Sequence, residues 1–231
     1  MRADRTTKAR SVWPASRQLK RAGSRLALAA GILAVVLVGA VSAQHRTTGS
    51  GDLQGKISYC KDCHGVSAQG YTGYYPIPRL AGQQPEYLQN QLRAFIEHRR
   101  TNNIMFNVAH SLSPGMIAAL AADFRALNPP PLGGGARGLA PTGEKIFQNG
   151  LPEANVAACA ACHGPEAQGN GEIPRLAGQL SDYVYSKLIN WSKERGQNPT
   201  EPDIAAVMSP VAHSLTRPQV EAVAAYLSYL K

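Results

Sequence analysis

The chain has 231 residues, four cysteines and a formal net charge of +9, a length that suits one or two domains. The charge suggests a nucleic-acid partner, but its position excludes one. Residues 1–43 hold eight Lys/Arg against the single acid Asp4, and the remainder holds 16 basic and 14 acidic residues. The basic excess therefore belongs to the N-terminal segment, not to a binding surface.

The first element in chain order is residues 26–43, LALAAGILAVVLVGAVSA, which carries no charge. A basic lead, an apolar core and small residues at Val41, Ser42 and Ala43 predict a secretory signal cleaved after Ala43. Eighteen uncharged residues are also just long enough to span a bilayer, so an uncleaved N-terminal anchor is the alternative. Either form places the rest of the chain outside the cytoplasm, with the basic end inside.

Beyond the signal the chain divides into residues 44–128, a linker over 129–142, and residues 143–231. The linker is rich in proline (Pro129, Pro130, Pro131) and glycine (Gly133, Gly134, Gly135), which stiffen the backbone and cannot sustain a helix. Each half shows helices at matching places. Short amphipathic runs cover 53–59 and begin again at Glu144, and longer ones cover 85–99 and 181–193. A terminal helix closes each half. The first starts with Ser113 as N-cap and Pro114 at the first helical position, and the second with Thr216 and Gln219 as a capping box. The expected class is all-α.

The halves are repeats of each other. Pro78-Arg79-Leu80-Ala81-Gly82-Gln83 returns unchanged as Pro174-Arg175-Leu176-Ala177-Gly178-Gln179. Met105 and Val108-Ala109-His110-Ser111-Leu112 are echoed by Met208 and Val211-Ala212-His213-Ser214-Leu215. All four cysteines fall in two further copies of one pattern, Cys60-Lys61-Asp62-Cys63-His64 and Cys159-Ala160-Ala161-Cys162-His163.

Cys-x-x-Cys-His is the attachment signature of c-type haem. Two thiols at this spacing reach one edge of a porphyrin and add across its vinyl groups, while the adjacent imidazole meets the iron. Two copies in one chain predict two covalently bound haems. A closed zinc site would need a fourth ligand, and His45, His98, His110 and His213 complete no familiar zinc spacing. A thioredoxin-like dithiol would need strands that the sequence lacks.

With His64 and His163 as proximal ligands, the remaining axial position separates electron transfer from chemistry at an open iron. Met105 and Met208 occupy matching positions and are the candidate distal ligands. Met116 lies on the third residue of its helix, opposite Gln219 in the second half, and reads as helix packing. His110 and His213 also match, which raises bis-histidine ligation, but they read better as polar residues ahead of the terminal helices. Arg79 and Arg175 suit haem propionates, since a guanidinium pairs well with a partly buried carboxylate. Gly65 and Gly164 are expected to leave backbone room beside the ring.

These motifs make the chain resemble a dihaem cytochrome c of the cytochrome c4 family over essentially everything after Ala43. The resemblance implies two tandem class I cytochrome c domains, periplasmic location, and His/Met ligation of each iron. It also implies that Pro78 and Pro174 offer their carbonyls to the proximal imidazoles, with Arg79 and Arg175 near propionates. The implied role is electron carriage in an exported respiratory chain, not enzymatic turnover. Its partners would be redox proteins such as a quinol-oxidising complex and a terminal oxidase. Membrane association would come through those partners or an N-terminal anchor. The alternative is the cytochrome subunit of a dehydrogenase, or a dihaem redox enzyme such as a peroxidase or thiosulfate-oxidising cytochrome. The resemblance is loosest in the Tyr71, Tyr74 and Tyr75 insertion and between Trp191 and Met208.

Overall fold

The computed structural model describes residues 52–195 and 204–231, which lie in one compact unit. The expected signal or anchor over 1–43, His45, and the stretch 196–203 lie outside the described residues.

In the first half, α1 covers residues 52–64 and runs without a break through the first cysteine motif. Leu53, Ile57, Cys60 and His64 recur at a spacing of three to four, so one face of α1 carries both packing residues and the motif histidine. That face meets Leu88 of α2 (Pro85–Ile96) and Leu120 and Phe124 of α4 (Pro114–Ala126). Burying each such large side chain stabilises the half by roughly 1.5–3 kcal/mol. Between them lies α3 (Asn103–His110), which begins where the Asn102 side chain accepts the Met105 N–H at 2.9 Å.

The second half repeats this plan with a different approach to its cysteines. A 3-10 turn (Arg137–Leu139) leads into α5 (Ala140–Asn149), and a detour closed by the Leu151–Val156 bridge precedes α6 (Ala160–His163). Then come α7 (Ser181–Ile189), α8 (Trp191–Glu194), α9 (Met208–Ser214) and α10 (Arg217–Tyr229). The expected capping box of Thr216 and Gln219 opens α10, with the Thr216 N–H donating to Gln219 at 2.8 Å. Helices α5 and α10 cross at Gly143, where a Cβ would sit 2.0 Å from the Ala222 carbonyl oxygen. Ile146, Phe147, Val184, Val223 and Leu227 fill the core beneath that crossing.

Among the described residues only isolated bridges interrupt the helices, so the all-α class expected from the sequence holds. Two helices are shorter than their periodicity suggests. α2 ends at Ile96, not residue 99, because His98 takes a positive φ of 57° and turns the chain. The run over 181–193 breaks at Asn190, which separates α7 from α8. The linker expected over 129–142 is held at a few points, with Leu132 and Gly134 exposed, and its end is already helical, because the 3-10 turn begins at Arg137 and α5 at Ala140. The Arg79 guanidinium donates to the Pro129 and Pro130 carbonyls at 2.8 and 3.4 Å, and the Tyr229 hydroxyl donates to the Gly135 carbonyl. A Cβ at Gly135 would lie 2.4 Å from the Ala225 backbone, so only glycine permits this approach to α10.

The two copies of the Pro-Arg-Leu-Ala-Gly-Gln block face each other. Gln83 accepts the Arg175 N–H at 2.7 Å and donates to the Arg175 carbonyl at 2.9 Å. Gln179 does the same to Arg79, at 2.8 and 3.1 Å. The exchange is reciprocal, as a local twofold relation between the halves requires.

Candidate haem attachment sites

Cys60 and Cys63 lie one helical turn apart on the last turns of α1, and Cys159 and Cys162 open and line α6. None of the four is paired in a disulfide. Cys60 and Cys159 are half-buried, and burial pushes both thiols up, offset at Cys60 by Lys56.

Each motif histidine is buried, His64 at 7% and His163 at 5% exposure. The His64 Nδ1 lies 2.8 Å from the Pro78 carbonyl oxygen, and the His163 Nδ1 lies 3.0 Å from that of Pro174. A carbonyl only accepts, so Nδ1 carries the proton in both rings and the Nε2 lone pair is left for a metal. Burial lowers both imidazole pKa values, against the carbonyl bonds that raise them, and the Arg100 charge lowers His64 further. A neutral imidazole with one fixed N–H is the form that binds iron.

The turn after each histidine is the same in both halves. Gly65 and Gly164 take positive φ of 88° and 81°. The space they keep clear belongs to the returning chain: a Cβ would lie 2.7 Å from the Gly70 carbonyl oxygen in one and 2.4 Å from Gln168 in the other. Ala68 and Ala167, also at positive φ, point their carbonyls at the Pro-Arg-Leu-Ala blocks. Each accepts two N–H groups, from Leu80 and Ala81 at 2.9 and 3.0 Å and from Leu176 and Ala177 at 2.7 and 3.0 Å. These bonds fix Pro78 and Pro174 beneath the imidazoles. Nothing in the sequence marked the alanines, because alanine rarely adopts that conformation.

The remaining candidates are placed as follows. Met105 is the third residue of α3 and Met208 the first of α9; both are half-buried on matching helices that pack on α2 and α7. Met116 packs against the first core. His110 is exposed and stacks on Phe106, and the exposed His213 lies 2.6 Å from the Ser192 hydroxyl. Arg79 donates to Ala81, Pro129 and Pro130, and burial together with Arg175 lowers its pKa to about 10. Arg175 is half-buried, and its Nε has no hydrogen-bond partner. Arg79 thus spends three of its five N–H groups on backbone carbonyls and keeps two.

The donor sets fit covalent haem. Each motif brings two thiols one helical turn apart and one oriented imidazole. Among the described residues no group of three or more His, Cys, Asp or Glu side chains gathers as a closed zinc site would need.

An all-helical chain with two such sites is a c-type cytochrome. The cytochrome c family model matches residues 57–127 and 140–231. Cytochrome c-552 of Acidithiobacillus ferridurans is 37% identical over 179 residues, covering 75% of this chain and 74% of that protein. A thiosulfate dehydrogenase electron acceptor of Thiomonas intermedia is 36% identical over 176 residues, covering 73% and 77%. The solved cytochrome c4 of Acidithiobacillus ferrooxidans superposes with a TM-score of 0.64 at 36% identity, covering 75% of this chain and 99% of that one. The chain belongs to the cytochrome c family, in its dihaem cytochrome c4 branch, and is an electron-transfer protein with two covalently bound haem c groups. Each haem supplies one-electron exchange at its iron.

Proposed function

We propose that the chain carries electrons between exported redox proteins through two irons, each held by one histidine and one methionine. His64 and Met105 serve the first, His163 and Met208 the second. The observation that carries this reading is the matched pair of imidazoles, each fixed through Nδ1 by a proline carbonyl, with a methionine at the same place in each half. A soft, neutral thioether stabilises ferrous iron and closes the site to substrates, which favours a carrier over a peroxidase. The halves divide at the linker over 129–142, with domains at 44–128 and 143–231. Arg175, and Arg79 by its remaining donors, would pair with propionates.

The N-terminal residues 1–43 act as the export signal or an anchor, and the working compartment is the periplasm. A mature chain beginning at Gln44 would exclude the anchor. A quinol-oxidising complex would donate electrons and a terminal oxidase would accept them. A thiosulfate-oxidising dehydrogenase is the other donor, favoured by the relative described as an electron acceptor of such an enzyme.

The test is the ferric absorption spectrum with its sulfur–iron band measured per haem, before and after cyanide. Two low-spin haems that resist the ligand are expected. Met105→Ala and Met208→Ala should each abolish one band and open one iron. A band that survives its own substitution overturns that ligand assignment.

A further inference from the structure

Gln83 and Gln179 do more than join the halves, because of the peptides they touch. The Gln179 side-chain oxygen accepts the Arg79 N–H at 2.8 Å. That N–H belongs to the Pro78–Arg79 peptide, and the carbonyl oxygen of the same peptide lies 2.8 Å from Nδ1 of His64. In the other direction the Gln83 side-chain oxygen accepts the Arg175 N–H at 2.7 Å. The carbonyl oxygen of that Pro174–Arg175 peptide lies 3.0 Å from Nδ1 of His163. Each motif imidazole is therefore one peptide unit away from a glutamine of the opposite half.

The amides are held so that this connection has one sense. Each glutamine oxygen also accepts the N–H of the residue that follows it, Gln84 at 2.9 Å and Leu180 at 3.0 Å, so both of its lone pairs are used. The amide nitrogens donate to the Arg175 and Arg79 carbonyls at 2.9 and 3.1 Å. A flipped amide would set N–H against N–H in two places. Gln83 and Gln179 are 5% and 6% exposed, which leaves water little room to replace them. A peptide whose N–H donates to a fixed acceptor carries a more negative carbonyl oxygen, and bonds in such a chain strengthen one another by about 10–30% each. A more negative carbonyl draws the Nδ1 proton harder and makes the ring a stronger donor at Nε2.

We infer that Gln179 and Gln83 are positioning residues that tune the iron-binding imidazole of the opposite half, Gln179 acting on His64 and Gln83 on His163, each through the proline–arginine peptide. A more electron-rich imidazole favours ferric iron, so each glutamine lowers the potential of the haem in the other half. Gln84 provides the contrast. Its side chain donates to the Gln168 and Gly169 carbonyls at 2.8 and 3.0 Å, a tie across the same junction that bypasses the Pro174–Arg175 peptide. This inference rests on the two-haem reading, and the experiment separates the two.

Haem per chain, the reduction potential of each haem and the Nδ1 proton resonance of each motif histidine in the ferrous state are measured in the intact protein and in Gln179→Ala, Gln83→Ala and Gln84→Leu. Fewer than two haems in the intact protein would overturn the two-haem reading, and the inference with it. With two present, Gln179→Ala should raise the first potential, moving its ferrous-to-ferric ratio at a fixed applied potential about twofold towards ferrous. It should also shift the His64 proton upfield and leave the second haem nearly still. Gln83→Ala should do the same to the second haem and His163. Gln84→Leu should move neither, although it too removes two bonds between the halves. Movement of the haem in the substituted half alone, of both haems equally, or of neither overturns the inference, as does Gln84→Leu shifting the second haem as far as Gln83→Ala. If an alanine variant does not accumulate folded, Gln83→Asn and Gln179→Asn, which keep the amide and shorten its reach by one methylene, decide by the same crossed pattern.

Discussion

The first half reaches its cysteines along one helix, residues 52–64, while the second arrives by α5, a bridged detour and the single turn of α6. Both routes end with a buried imidazole 2.8–3.0 Å from a proline carbonyl. What is duplicated is the turn that follows the histidine, together with its carbonyl anchors. The approach is free to differ because it contributes apolar packing, which many geometries supply, and not a directed bond. The surfaces differ as well. The first half exposes Tyr71, Tyr74 (92%) and Tyr75 around an isolated bridge, where the second has the short turn Asn170–Ile173. The halves share an interior and present unlike faces, so partners can tell them apart.

The largest test of this contrast is at the helix approaches. Gly143→Val drives a side chain into the Ala222 backbone and should cost about 3 kcal/mol, read as a lower thermal midpoint of the holoprotein. Next is the reciprocal pair at the junction. Gln83→Ala and Gln179→Ala each remove two bonds to the opposite backbone, and each should cost about 2 kcal/mol in denaturant unfolding. Clearly unequal losses would break the twofold description. Thr216→Ala removes the capping box of α10 and should cost about 1 kcal/mol by the same measurement. Gly55→Ala, with nothing within 4 Å of the new methyl, should gain about 0.5–1 kcal/mol in thermal unfolding. The smallest effect belongs to Tyr74→Ser, expected to leave the midpoint within about 0.5 kcal/mol because the ring touches no core.

Much of the site was legible because its chemistry is local. Two thiols and an imidazole within five residues announce their cofactor, and the proline carbonyls repeat with the motif. The starts of α4 and α10 were legible for the same reason: Ser113 and Thr216 act on backbone groups within one turn. The helix α3 was not legible, although Asn102 ahead of Met105 is an N-cap pattern, because eight residues with one buried side chain show no clear period. The early end of α2 depends on His98 in a left-handed conformation, which periodicity does not report. The roles of Gln83 and Gln179 are set by residues 92 to 100 positions away, and such pairings exist only once both halves have folded. Repetition hinted at the glutamines.

The clamped linker has a consequence for how the halves stay together. Arg79 holds Pro129 and Pro130, and Tyr229 holds Gly135, so little of the tether is slack. A short tether confines each half near the other at an effective concentration on the order of millimolar or more. At that concentration a modest set of glutamine bonds suffices to keep the pair closed, and dilution does not open it. Cleaving the chain at Gly133 or Gly134 would turn the same contact into an encounter between two molecules, dependent on how much of each is present.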